Sequence, residues 1–165
     1  MLVLGVDPGT AITGFGCVRQ EGPHLTVVEY GAIRTAAGHP LAERLRQIHA
    51  DLTELLKECR PDCLAVEKLF FNRNTTTAMA VGQARGVILL AAAEQGVPVA
   101  EYTPQEVKQA VTGLGRAGKG QVGFMVQALL GLPTMPTPDD VCDALAVGIC
   151  HCHRRASRER SRSGA

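Results

Sequence analysis

The sequence lacks tryptophan and has only six tyrosines and phenylalanines among its 165 residues. It also lacks an uninterrupted apolar run of about 18 residues, so we expect no membrane-spanning helix. Because the first residues show neither the charged segment nor the cleavage site of a secretory signal, we expect a cytoplasmic protein. A composition that is 45% hydrophobic and 20% charged excludes a disordered, collagen-like or coiled-coil chain. The length predicts a single compact domain.

A large net charge of either sign is absent as well, since the formal sum is +1. The charge is unevenly distributed, because residues 154–165 carry five arginines against Glu159 and leave a net −3 on residues 1–153. We expect residues 154–165, called the tail below, to be basic and flexible and to follow a polyanion. A solubilising terminus explains the same composition. Overall charge therefore neither indicates nor excludes a nucleic-acid partner.

Six cysteines are present, but a reducing compartment argues against disulfides and favours their role as small core residues. The run Cys150-His151-Cys152-His153 resembles a zinc motif only superficially. On a helix, alternate side chains point about 160° apart, so these side chains do not converge on one ion.

Hydrophobic periodicity predicts an α/β fold with three strands, a helix, a strand, a helix, a strand and then helices. We interpret this order as a five-stranded mixed sheet with helices on both faces, all within residues 1–153. The predicted strands are 2–7, 14–19, 25–33, 63–67 and 97–102, and the predicted helices are 41–59, 76–94, 104–111, 121–130 and 138–153.

Carboxylates occupy the places where this fold would expose side chains at one sheet edge. Asp7 and Glu67 each follow an apolar strand directly, while Asp140 and Asp143 share one helical face. Such a cluster requires cations, and its hard oxygen ligands suit two Mg²⁺ or Mn²⁺ ions that promote phosphodiester hydrolysis. Asp139 also lies one turn from Asp143, and helix geometry does not choose between it and Asp140. Each carboxylate also has a structural explanation, as a turn, surface or capping residue.

The predicted helix 76–94 is apolar nearly all round its centre, which is typical of a helix buried in a core or an interface. Gly82 and Gly86 would let another backbone approach closely. We therefore expect a homodimer seam along this helix, with Arg85 and Gly86 at the seam, rather than burial within one domain.

Several motifs together resemble those of the RuvC family of Holliday-junction resolvases. They occur in the family's order over residues 1–153 and are Gly5-Val6-Asp7-Pro8-Gly9-Thr10, Thr13-Gly14-Phe15-Gly16, Ala65-Val66-Glu67 with Phe70, Gly82-Gln83-Ala84-Arg85-Gly86-Val87, Val107-Lys108-Gln109 and Asp140-Val141-Cys142-Asp143 leading to His151-Cys152-His153. The resemblance implies an RNase H-like fold. It also implies a homodimeric endonuclease that cuts two opposed strands of a four-way DNA junction, leaves 5′-phosphate and 3′-hydroxyl ends, and works with a branch-migration motor.

The resemblance also implies roles for individual residues. Asp7, Glu67, Asp140 and Asp143 match the family's metal-binding carboxylates, and the D-x-x-D spacing selects Asp140 over Asp139. The expected DNA contacts are Lys119, which would also steady charge at the reacting phosphate, and Lys108, Phe70, Phe71, Arg73 and Arg116. Phe70 corresponds to an aromatic that stacks on crossover bases, and the adjacent Phe71 is an alternative for that role.

Two motif matches are rejected, and two rival functions accompany this interpretation. Residues 113–119 fit both a G-x-G-x-x-G motif and most of a Walker A loop. We reject a nucleotide-binding loop here because a helix precedes these residues and because Gly120 stands where a P-loop needs a hydroxyl. The Asp7-Pro8-Gly9-Thr10 opening also resembles that of actin-like ATPases and sugar kinases, which close two such domains around a nucleotide. A non-catalytic junction-binding module is the third possibility.

Overall fold

The structure is a computed structural model that describes residues 1–68 and 75–163, with the side chains of 1–68 and 78–157. In chain order the elements are β1 (Leu2–Asp7), β2 (Ile12–Glu21), β3 (His24–Arg34), α1 (Leu41–Cys59), β4 (Cys63–Glu67), α2 (Thr75–Glu94), β5 (Val99–Tyr102), α3 (Pro104–Thr112), α4 (Lys119–Leu130) and α5 (Asp139–Ser163). No helix of this described part is both long and apolar enough to cross a bilayer.

The strands form one five-stranded sheet in the order β3-β2-β1-β4-β5. The first three strands pair in antiparallel fashion, whereas β4 pairs in parallel with β1 on one side and with β5 on the other. The mixed sheet predicted from the sequence is therefore confirmed. Because β1 and β4 are parallel neighbours, their carboxyl ends lie at the same edge of the sheet.

Helices cover both faces of the sheet, as the sequence predicted. Leu4 and Val6 of β1 belong to a core beneath α1 and α2, whereas Val3 belongs to a second core with α3, α4 and α5. The alternation follows from the pleat of a strand, which turns successive side chains to opposite faces. The strand β4 is buried along most of its length because helices cover both of its faces.

Helix α5 packs on β1 and β2 at glycines. A Cβ atom on Gly5 would lie 2.0 Å from the Ala144 carbonyl oxygen, and one on Gly14 would lie 2.0 Å from the Asp140 carbonyl oxygen. No side chain fits in these gaps, so the two glycines allow the helix backbone to lie directly against the strands. This close contact fixes the depth at which the first turns of α5 meet the sheet.

The capping box predicted at the start of α3 is present: Thr103 Oγ1 accepts from the Glu106 amide, and the Glu106 carboxylate accepts from the Thr103 amide. The predicted end of the last helix near His153 is wrong, because α5 continues to Ser163. Arg154 contributes to this extension through an ion pair with Glu106 at 2.6 Å. The division into a domain and a flexible tail stays a prediction.

Candidate active site

Two acidic residues end neighbouring parallel strands. Asp7 is the last residue of β1 and Glu67 the last residue of β4, and the register pairs Val6 with Val66 one residue earlier. Both carboxylates therefore emerge at the carboxyl edge of the sheet, where α/β folds build their sites. The two strands are neighbours in the sheet, which is the condition under which their terminal acids converge.

Helix α5 brings two more carboxylates to this edge. Asp7 pairs with Gly14 across the β1–β2 ladder, and Gly14 is the residue whose missing side chain admits the Asp140 backbone. Asp143 lies one turn further along the same helix. The close packing of α5 on the sheet thus places its first turns beside Asp7.

Asp7 lies close enough to the other three acids for each of them to raise its pKa. The pKa of Asp7 is raised to about 7, first by burial and then by the negative charges of Asp143, Asp140 and Glu67, against an opposing effect of Lys119. Like charges brought together out of water favour the protonated acid. A group with this pKa needs a compensating cation to stay ionised at neutral pH.

The pKa values of the neighbouring acids Glu67 and Asp143 are raised as well. Burial raises the pKa of Glu67, with a further contribution from Asp143 and an opposing one from Lys108. Burial also raises the pKa of Asp143, which Lys119 partly offsets. The Lys119 ammonium lies 3.4 Å from an Asp143 oxygen, and this carboxylate is the main cause of the raised pKa of Lys119. Lys119 is thus a cation in direct contact with the cluster.

A cleft of about 250 Å³ opens beside these acids. It is lined by residues of β4, α3, α4 and α5, namely Glu67, Pro104, Val107, Lys108, Lys119, Val122, Asp143 and Ala146. The lining therefore combines two carboxylates, two lysines and several apolar side chains. This arrangement suits a ligand that brings both a cation and a phosphate.

The donor set of the cluster fits a hard divalent cation. Asp7, Glu67, Asp140 and Asp143 offer only oxygen, the donor that Mg²⁺ and Mn²⁺ prefer. Among the residues with described side chains, no three Asp, Glu, His or Cys groups already converge as a closed metal site. The raised pKa of Asp7 shows instead that the acids are close enough to repel one another.

The structure distinguishes Asp139 from Asp140, which helix geometry alone did not. Asp140 acts on the Asp7 carboxylate, whereas the Asp139 side chain is 81% exposed and lies 3.3 Å from the Lys119 ammonium. Asp140, which is half-buried, is therefore the one of the two that acts on Asp7, although both act on Asp143. Asp139 is an exposed partner of Lys119, a role that sequence reasoning missed.

The other predicted DNA contacts are placed as follows. Lys108 lines the cleft with Lys119, whereas Arg116 is exposed in the loop before α4 and lines a separate shallow depression with Gln109. Phe70, Phe71 and Arg73 lie outside the described residues. The loop 113–118 follows helix α3 rather than a strand, which confirms the rejection of a nucleotide-binding loop.

Helix α2 is only partly covered within a single chain, and the homodimer seam expected along it stays a prediction. Ala84, Ile88, Ala91 and Ala92 are buried, but Met79 is 66% and Leu90 53% exposed. Arg85, which was expected at the seam, instead turns inward toward β4 and β5. No sequence signal distinguished these two faces, since both are rich in small and apolar residues.

Comparison with known proteins gives a consistent result. Residues 3–151 match the family described as "Crossover junction endodeoxyribonuclease RuvC". Proteins of that name from Pelotomaculum thermopropionicum and Moorella thermoacetica are 60% and 57% identical to the chain. The first alignment covers 93% of each protein, and the second covers 100% of this chain and 99% of its relative.

Solved structures agree with these relatives. The chain resembles the Thermus thermophilus RuvC in complex with a Holliday junction substrate, with a TM-score of 0.91, 39% identity and 96% coverage of each chain. The yeast mitochondrial resolvase Ydc2, at 13% identity and a TM-score of 0.63, shares the fold over 96% of this chain and 83% of its own. The predicted RNase H-like fold is confirmed.

Proposed function

Because the chain belongs to the RuvC family of crossover junction endodeoxyribonucleases, which are metal-dependent, we propose that its acidic cleft cuts four-way DNA junctions by hydrolysis. The observation that carries this proposal is the convergence of Asp7, Glu67, Asp140 and Asp143 at one sheet edge, with the Asp7 pKa raised to about 7. The substrate is a Holliday junction, and the products carry 5′-phosphate and 3′-hydroxyl ends.

The four carboxylates hold two Mg²⁺ or Mn²⁺ ions. When bound, such ions lower the pKa of an attacking water and stabilise the leaving oxygen of the phosphodiester. Asp7 is the central ligand because it feels each of the other three acids. Glu67 and Asp143, which line the cleft, hold the cations where the scissile phosphate enters.

The lysines act on the phosphate. Lys119 and Lys108 line the same cleft as the acids, so they partly neutralise a backbone phosphate seated there. Lys119 stabilises the charge that develops on the phosphorus centre. Its ion pairs with Asp139 and Asp143 hold its ammonium beside the reacting group. Phe70, Phe71, Arg73 and Arg116 extend the proposed contacts to the DNA outside the cleft.

Two cuts on opposed strands require two active sites, and the exposed face of α2 supplies the surface for pairing two subunits. Met79 and Leu90 are exposed at spacings that share one helical face with Gly86, where an added Cβ would meet no atom within 4 Å. A homodimer along this face covers two large apolar side chains that water otherwise contacts. The family assignment extends the proposal to a branch-migration motor as a second partner.

The test is incubation with a synthetic four-way junction, with and without Mg²⁺ or Mn²⁺. We expect symmetric nicks only with the metal. Asp7→Asn should bind the junction and fail to cut it, whereas Glu54→Gln, an exposed acid on α1, should cut normally. Metal-independent binding without nicks would instead support a junction-binding module. ATP hydrolysis without nicks would support a relative of the sugar kinases.

A further inference from the structure

Arg85 makes contacts inside the protein that the function proposed above does not use. Its side chain is only 15% exposed and ion-pairs with the Glu101 carboxylate of β5. Its Nε also donates a hydrogen bond of 3.3 Å to the main-chain carbonyl of Glu67. A mostly buried guanidinium is costly without such partners, so its placement is specific.

The Glu67 carbonyl lies where the sheet ends. The register between β1 and β4 stops at the pair Val6–Val66, one residue before Glu67. The other end of the same peptide unit, the Lys68 amide, donates to the Tyr102 carbonyl of β5 at 2.7 Å. Arg85 and β5 thus hold the peptide unit after Glu67 at both its oxygen and its nitrogen.

Holding this peptide unit fixes the direction of the Glu67 side chain. Arg85 and Glu101 approach from the α2 side of the sheet, while the Glu67 side chain lines the cleft on the other side. With the peptide plane fixed, the Cα–Cβ bond of Glu67 cannot swing away from Asp143 without breaking a hydrogen bond. We propose that Arg85, oriented by Glu101, is a positioning residue that holds Glu67 in place for metal binding.

This inference rests on the proposed role of Glu67 as a metal ligand. It also replaces the sequence expectation that an Arg85 variant acts by separating the subunits. The two explanations differ in a measurable way, because a seam residue changes the oligomeric state and a positioning residue changes the affinity for the cation.

The experiment measures Mn²⁺ binding to the full chain by isothermal titration calorimetry without DNA, together with sedimentation and thermal melting. Arg85→Lys keeps the charge opposite Glu101 but lacks the Nε–H, and Glu101→Gln removes the charge that orients Arg85. We expect each to weaken Mn²⁺ affinity about tenfold, as loss of a group that supports a ligand typically does, with unchanged sedimentation. Glu94→Gln is the matched control, since it alters a carboxylate of α2 that contacts His49 Nε2 of α1 at 2.8 Å and none of the four acids.

A double variant decides whether Arg85 acts through Glu67. If it does, Arg85→Lys should not weaken binding further once Glu67→Gln is present. Additive losses, normal Mn²⁺ affinity of both single variants, or dissociated subunits would overturn the inference while leaving the proposed function intact. If Glu67→Gln itself binds Mn²⁺ normally, the assignment of Glu67 as a ligand fails, and the inference fails with it.

Discussion

Replacing Asp7 by asparagine is expected to stabilise the protein in the presence of EDTA while abolishing cleavage. The reason is that Asp7 has a pKa of about 7 in the folded chain, against an ordinary value of 3.8. The folded state therefore binds this proton more tightly than the unfolded chain, and the folded state loses stability as the carboxyl ionises. Asparagine has nearly the same shape and cannot ionise.

The effect has a defined sign and pH range. The loss begins as the pH rises above 3.8, where the unfolded carboxyl ionises, and is complete above about 7, where the folded carboxyl also ionises. One pKa unit corresponds to about 1.4 kcal/mol, so the predicted gain of the variant is about 2 kcal/mol at pH 5 and about 4 kcal/mol at pH 8. These are upper values, because nearby acids relax when Asp7 becomes neutral.

Urea denaturation of wild type and Asp7→Asn at pH 5 and pH 8 measures both differences. Glu54→Gln serves as the control, because it removes a carboxylate of α1 outside the cluster. Adding Mn²⁺ at pH 8 should then stabilise wild type more than the variant, since a ligand that binds only the folded state raises its stability. Equal gains at the two pH values, or a variant less stable than wild type at pH 8, would refute the explanation by burial of an ionised carboxylate among like charges.

Three further predictions concern other parts of the molecule. Lys119→Met should reduce the single-turnover cleavage rate about 10²- to 10³-fold at saturating protein, because it removes the cation beside Asp143. A rate within threefold of wild type would contradict this role. Gly86→Glu should convert the dimer to a folded monomer, as measured by sedimentation, with little change in melting temperature, because within one chain the added side chain meets open space. An unchanged sedimentation coefficient would exclude a dimer interface along α2. Gly14→Ala should lower the free energy of unfolding by roughly 3 kcal/mol in urea titrations, because the alanine Cβ would lie 2.0 Å from the Asp140 carbonyl oxygen. A near-neutral effect would show that α5 can move away from the sheet.

Much of the fold follows from local pattern. The helix predicted over 41–59 has those bounds, and the capping box at Thr103 marks the start of α3. Strand β4 was identified from a short apolar run, because a strand covered on both faces has no polar alternation. These elements are predictable since the signals that define them lie within a few residues of one another.

One prediction failed and one distinction was missed for the opposite reason. The end of α5 was placed near His153, but Arg154 ion-pairs with Glu106 across the chain and the helix continues to Ser163. The two faces of α2 were not distinguished, because its apolar residues surround the helix and only packing on α1 and the sheet decides which are covered. Contacts between residues that are far apart in the sequence cannot be inferred from the local sequence pattern.

The sequence by itself determined the identity of the acidic residues and their places at strand and helix ends, because these positions follow from element boundaries and motif spacing. Only the tertiary structure decided that Asp140 rather than Asp139 acts on Asp7, and that Arg85 faces Glu67 rather than solvent. The physical reason is that charge interaction depends on distance and burial. Both are set here by how closely α5 packs on two glycines and by where β4 leaves the sheet.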